Sequence, residues 1–128
     1  MKHTRTILLL LIIIFLLITG AYQHIYVRSV SDRLLSLSEE LSADILLNNR
    51  EQAKENLLEL ESLWRRNSDK LSAMIEHTLV SNISISLAEL SADIAAENYT
   101  QLPAEAARLT EQIRILAKTG HITLANIF

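Results

Sequence analysis

The first thirty residues contain a long apolar segment. The twelve residues 7–18 have no polar atom in any side chain, and no Asp, Glu, Lys or Arg occurs among the 22 residues 6–27. A helix of 22 residues can cross a hydrocarbon layer about 30 Å thick. We therefore predict a membrane anchor in residues 1–27. A signal peptide that is cleaved near Ala21 is the alternative, because twelve apolar residues also fit the core of such a peptide.

The charges that flank this segment do not decide its orientation. Lys2 and Arg5 on one side are matched by Arg28 and Arg33 on the other, so the positive-inside rule is balanced. A very short basic N-terminus before the first apolar segment usually stays inside. We therefore expect a single-pass protein of the cell membrane, with its N-terminus in the cytoplasm and the rest of the chain outside it.

From residue 28 onward, apolar residues recur every three or four positions, which is the spacing of one face of a helix. Polar stretches at residues 48–49, 67–69 and 98–100 interrupt this spacing and predict helix ends. Pro103 near the start of the last helix and Gly120 at its end suit those positions. The predicted fold class is all-α: an N-terminal transmembrane helix, an antiparallel four-helix bundle in residues 28–120 and an apolar C-terminal tail in residues 121–128.

Two parts of the bundle have similar sequences. The segment Glu-Leu-Ser-Ala-Asp-Ile of residues 40–45 recurs in residues 89–94, and ten of the 34 positions 34–67 are identical at this offset of 49. A duplicated αα-hairpin explains the similarity, because each copy can bury its apolar face against the other. Chance similarity between helices rich in Leu, Ala, Glu and Ser is the alternative.

The composition argues against most kinds of chemistry. The chain has no Cys, only two Gly and four His, which excludes thiolate ligands, thiol nucleophiles and glycine-rich phosphate loops. No two histidines lie three or four positions apart, so we expect no metal site, no cofactor and no enzymatic activity. Residues 28–128 carry 10 Lys and Arg against 15 Asp and Glu. An acidic domain is not expected to bind nucleic acid, and it is expected to stand off from an anionic membrane.

Three polar residues are candidates for structural contacts. Asp44 and Asp93 occupy the same position in the two copies of the repeat, so each is a candidate for a contact between the hairpins. Arg65 and Arg114, which are also equivalent in the repeat, are the expected partners. His77 is expected either to be a partly exposed helix residue or to form a hydrogen bond between helices.

Candidate residues for binding a partner fall into two groups. Trp64, Arg65 and Arg66 form the only cluster of aromatic and basic residues, although Trp64 also lies on an apolar face and fits the core. The last residues, Asn126, Ile127 and Phe128, are unusually apolar for a terminus. The tail is therefore predicted either to dock on the bundle or to bind a partner.

The layout of the whole chain resembles the bacterial domain-of-unknown-function family 4363. The resemblance rests on the basic start, the apolar segment, Trp64, the pair Glu76-His77, Asp93 and the terminal Asn-Ile-Phe. It implies a small membrane-anchored protein of spore-forming Firmicutes with no assigned activity. It also implies a multi-span membrane protein of the YetF-like type as a partner.

We therefore expect a non-enzymatic, membrane-anchored helical module that binds or supports another protein of the envelope, with membrane lipid around its N-terminal helix. A helical ectodomain that senses a small molecule is one alternative. A divisome-like, single-span coiled-coil protein is the other, although the polar interruptions favour a bundle that folds back on itself.

Overall fold

A computed structural model describes residues 1–125, with side chains as far as Thr119. The described chain forms four helices: α1 (Lys2–Leu46), α2 (Arg50–Met74), α3 (His77–Ala95) and α4 (Leu102–Ala125). α1 packs against α2 and α4, and α3 packs against the same two helices. The helices therefore form a ring in which α1 lies diagonally across from α3, and the predicted all-α bundle is confirmed.

The anchor and the first helix of the bundle are one continuous helix. α1 has 45 residues, which at 1.5 Å per residue makes it about 68 Å long. Its first buried residue is Val27, whereas the large apolar side chains of residues 7–18 are exposed. The apolar half of α1 therefore extends beyond the bundle. We call the end of the bundle next to this apolar half the proximal end. The connections 47–49 and 96–101 form the "distal end".

The core is aliphatic and runs the length of the bundle. All four helices contribute, and the apolar spacing of the sequence accounts for the pattern. The apolar residues of the core that are less than 2% exposed are Leu34, Leu41, Leu60, Leu71, Ile83, Leu90, Leu102, Ala106, Leu109, Ile113 and Leu116.

Two predicted helix ends are wrong. The break between the second and third helices lies at Ile75 and Glu76, whose backbone is extended, and not at residues 67–69. Asn67 is helical, and its side-chain amide donates a hydrogen bond to the Leu63 carbonyl, one turn back in the same helix. α4 continues past Gly120 to Ala125. One glycine costs a helix only about 1 kcal/mol and need not end it.

The two hairpins repeat in structure as well as in sequence. After α1 and α3 the chain turns through Asn48 and Glu97, each with a φ of 56°, and the turns share the same backbone hydrogen bonds. Ten pairs of positions 49 residues apart are buried in both copies. The pairs are Ser31 and Val80, Leu34 and Ile83, Leu37 and Ser86, Ser38 and Leu87, Leu41 and Leu90, Ala53 and Leu102, Asn56 and Glu105, Leu57 and Ala106, Leu60 and Leu109, and Trp64 and Ile113.

Candidate functional site

The junction between the apolar half of α1 and the bundle is held by aromatic and polar side chains. The Tyr26 hydroxyl donates a hydrogen bond of 2.5 Å to Oδ1 of Asn67 on α2. The Tyr22 ring stacks on Tyr26 with ring centroids 6.4 Å apart, and the Lys70 ammonium lies 5.7 Å from the Tyr26 ring centroid. Tyrosine suits the boundary between lipid and water because it has an apolar body and a polar tip.

Among the described helices, α1 alone is apolar and long enough to cross a membrane. No part of this apolar stretch of α1 is buried in the bundle. A membrane span and a signal sequence both have this character. The structure thus provides a helix suited to either role, joined to the bundle without a break.

Asp44, at the distal end, makes a polar contact within its own hairpin. The Asn56 amide on α2 donates a hydrogen bond to the Asp44 carboxylate, and Gln52 donates to Asn56 over 3.4 Å. The expected partner, Arg65, lies nine residues beyond Asn56 on α2, or about 13 Å further towards the proximal end. Asp44 therefore connects α1 to α2 and does not link the two hairpins.

Asp93 makes the equivalent contact in the second hairpin, but with an acid. Its partner is Glu105 on α4, which is 7% exposed and has no partner for Oε2 among the described residues. Burial raises the pKa of Glu105 to about 7, and the hydrogen bond with Asp93 and the charges of Asp93 and Glu89 act in the same direction. Arg108 partly opposes this. Below about pH 7 Glu105 therefore carries a proton that it can donate to Asp93.

Arg114 is not the partner of Asp93. Its guanidinium lies 3.6 Å from a Glu39 carboxylate oxygen on α1 and also pairs with Glu111 on its own helix. The predicted contact between the hairpins is therefore wrong for both aspartates, and so are both predicted partners; each aspartate contacts a residue of its own hairpin. In each hairpin the antiparallel packing places the aspartate next to the residue twelve positions further along the chain.

A shallow pocket lies between the two connections at the distal end. Arg50 and Tyr99 form part of its wall, with the Arg50 guanidinium 3.9 Å from the centroid of the Tyr99 ring. The sequence analysis missed this pocket because its residues come from both hairpins and meet only after the repeat packs on itself. The residues that line it are Asp44, Ile45, Asn48, Arg50, Ala53, Ile94, Tyr99, Leu102 and Pro103.

Two adjacent leucines are exposed at the same end. Leu46 ends α1 and Leu47 follows it, with exposed fractions of 68% and 78%. The residues that correspond to them in the second hairpin are Ala95 and Ala96. Because alanine suffices for the equivalent turn, the fold does not require leucine here. The sequence analysis did not single out these leucines, although the repeat alignment already contained the signal.

Trp64 belongs to the core. It is 6% exposed, and its indole Nε1 donates a hydrogen bond of 2.9 Å to Oγ of Ser84, which connects α2 to α3. Its role as a binding platform is therefore excluded in this fold. Arg65 and Arg66 are exposed in the proximal half of α2, and Nε of Arg66 donates to the Ser62 carbonyl over 3.3 Å.

The remaining predicted residues do not form a site. His77 is exposed as the first residue of α3 and makes no polar contact with any other described side chain, so the predicted hydrogen bond between helices is wrong. Asn126, Ile127 and Phe128 lie outside the described residues. In the part of the chain that the structure describes, no group of three or more His, Asp or Glu residues could hold a metal ion.

The fold and these contacts define a class of protein: an all-α chain in which a long apolar helix continues into a four-helix bundle of two similar hairpins. The chain belongs to the family described as Domain of unknown function (DUF4363), whose model matches residues 21–127. The match covers the bundle and starts after the apolar run, and it confirms the resemblance seen in the sequence. No curated protein and no solved structure matches the chain.

Proposed function

We propose that this protein is a non-enzymatic, membrane-anchored module that uses the distal end of its bundle to bind another protein of the cell envelope. The observation that carries the proposal is the exposure of Leu46 and Leu47 where the second hairpin has alanines. A residue that the fold does not need, and that places apolar surface in water, is typical of a binding surface. Burying one leucine completely contributes about 1.5–3 kcal/mol to an association.

The length and continuity of α1 support the anchoring part of the proposal. With residues 6–27 in the membrane, the helix would direct the bundle away from the lipid and present its distal end to a neighbour. We place the N-terminus in the cytoplasm and the bundle outside it. The partner expected from the family resemblance is a multi-span membrane protein of the YetF-like type.

The test compares two double substitutions of exposed apolar residues in the full chain. Leu46→Ala with Leu47→Ala gives the end of α1 the two alanines that the second hairpin has at the end of α3. The bundle should therefore keep its helicity and its thermal midpoint. Leu58→Ala with Ile85→Ala removes apolar surface of similar kind from exposed positions on α2 and α3. Each variant is tagged at its C-terminus and purified from gently solubilised membranes of the native host.

We expect the distal pair to lose a stoichiometric membrane-protein partner that the wild type and the control pair retain. Equal recovery from the distal variant would refute the role of the leucines. A third variant that lacks residues 126–128 tests the C-terminal tail in the same assay. Release of the wild type into the medium, without detergent, would instead show that residues 1–21 are a cleaved signal peptide.

A sensor of small molecules is the second candidate, and the distal pocket favours it. The wall of the pocket includes the Asp44 carboxylate and the Arg50 guanidinium, which suits a small ligand with both donor and acceptor groups. A ligand that binds only the folded chain must raise its thermal midpoint. A screen of metabolites against the wild type and Arg50→Ala tests this, and a midpoint that no compound raises would count against a sensor.

A further inference from the structure

The charges of the bundle are separated between its two ends. The proximal half, in residues 27–36, 62–86 and 114–125, has seven Lys and Arg against three Asp and Glu, a net charge of +4. The distal half, in residues 37–61 and 87–113, has three against twelve, a net charge of −9. The acidic total of the bundle therefore conceals a basic end, and that end is the one next to the apolar half of α1.

Three exposed cations on the proximal part of α2 take no part in the ion pairs of the described bundle. Arg65, Arg66 and Lys70 form no ion pair with any described residue. In contrast, Lys54 and Arg108 in the distal half pair with glutamates over 3.8 Å. The charges of these three side chains are therefore available to a ligand outside the bundle, whereas Arg33 and Arg114 of the same half pair with glutamates.

The contacts of Tyr26 fix the position of these cations along the axis of α1, relative to its apolar segment. Tyr26 lies in the last turn of the uncharged segment of α1, and it contacts both Asn67 and Lys70 of α2. α2 continues for four residues beyond Lys70, or about 6 Å in the direction of the apolar segment. If α1 spans a membrane with Tyr22 at the edge of the hydrocarbon, Tyr26 lies about 6 Å outside that edge. The last turn of α2 then lies within the polar layer of the bilayer, which is about 5–7 Å thick on each side.

We propose that the proximal end of the bundle binds the phosphates of anionic lipid headgroups through Arg65, Arg66 and Lys70, in the leaflet from which α1 emerges. The inference rests on the proposed anchoring by α1 and adds a second, charge-dependent contact with the membrane. The earlier expectation that the acidic domain stands off applies only to its distal end. The anionic membrane attracts the basic proximal end of the bundle and repels its acidic distal end. Together these forces hold the bundle upright, so that its distal end faces a partner.

The absence of cysteine allows the position of the bundle to be measured with single labels. Ala73 near the end of α2 and Ala92 near the end of α3 are both exposed, and each is replaced by cysteine and labelled with a fluorophore. The full chain is reconstituted in vesicles of phosphatidylcholine, with or without phosphatidylglycerol, that contain a lipid with a quencher on its headgroup. Flotation of the vesicles shows whether the chain is anchored at all.

We expect phosphatidylglycerol to increase quenching at Ala73 severalfold and to leave Ala92 unchanged. High salt should remove the increase, because it shortens the range of the charges, and free inorganic phosphate should not reproduce it. Arg65→Gln with Arg66→Gln should lower quenching at Ala73 to the value in phosphatidylcholine. Lys54→Gln with Arg108→Gln removes as much charge from the distal half and should have no effect.

The outcomes separate this inference from the anchoring on which it rests. A chain that floats with the vesicles, but whose label at Ala73 responds neither to the anionic lipid nor to the arginine substitutions, refutes the headgroup contact and leaves the anchor intact. A chain that does not float refutes both. An equal response at Ala92 would mean that the whole bundle lies down on the membrane, which also contradicts the proposal.

Discussion

Replacement of Glu105 by glutamine should make the second hairpin independent of pH. In the first hairpin, the Asn56 amide donates a hydrogen bond to Asp44. In the second, Glu105 can donate to Asp93 only while it carries a proton. The amide of glutamine can donate at any pH, and it has nearly the same shape as the glutamate side chain. Glu105→Gln therefore gives the second hairpin the kind of contact that the first already has.

The size and sign of the effect follow from the pKa of Glu105. Its pKa is raised from 4.5 to about 7, and at about 1.4 kcal/mol per unit this is worth about 3 kcal/mol. Screening by water near the end of the bundle reduces the expected effect to about 1–2 kcal/mol. Because the pKa is higher in the folded chain, the stabilisation is fully present below pH 4.5 and is lost as the pH rises through about 7.

Thermal unfolding of the full chain in detergent, followed by circular dichroism across this pH range, measures the effect. The midpoint of the wild type should fall as the pH rises through 7, and that of Glu105→Gln should stay level. Above pH 7 the variant should melt about 5–10 °C higher than the wild type. The reciprocal change, Asn56→Glu, places a second acid pair next to Asp44 and should add a pH dependence. A wild-type midpoint that is level between pH 4.5 and 8, or a variant that keeps the wild-type slope, would refute the reasoning.

Five further substitutions test the fold. Leu90→Asp places a charge at a position that is 0% exposed and should cost more than about 4 kcal/mol, so a variant that still melts cooperatively as a helical protein would contradict the core. Glu97→Gly removes a side chain from a residue with a φ of 56° and should raise the free energy of unfolding by about 1 kcal/mol; Asn48→Gly should gain less in the same denaturant titration, because asparagine tolerates this conformation. Trp64→Phe loses the hydrogen bond to Ser84 and should cost at least about 1 kcal/mol, and Ser84→Ala, measured in parallel, should show how much of the loss comes from that bond.

The sequence-based prediction succeeded where a property is local to one helix. The apolar spacing predicted four bundle helices and the buried positions Leu41 and Leu90, because the side chains of one helical face must all meet the same neighbour. It failed at residues 67–69, where three polar residues looked like a helix end. Asn67 lies within α2 and its side chain accepts a hydrogen bond from Tyr26, 41 positions away, and no local pattern records that contact.

The repeat shows the same division between local and tertiary information. Equivalence of Asp44 and Asp93 followed from the alignment of the chain with itself, and so did the prediction that they have similar roles. Their partners did not follow, because Asn56 and Glu105 differ in chemistry and are not identical in the alignment. Only the antiparallel packing of each hairpin shows that both occupy the same place beside an aspartate.

The sequence by itself determined the class of fold, the apolar segment, the duplicated hairpin and the family, since each is a pattern along the chain. Tertiary structure decided which cations lie beside the apolar segment, which carboxyl group is buried next to another and which leucines the fold leaves exposed. The physical reason is that burial, electrostatic interaction and hydrogen bonding depend on distances in space. In this chain, residues 37–61 and 87–113 become one acidic end only when four helices stand side by side.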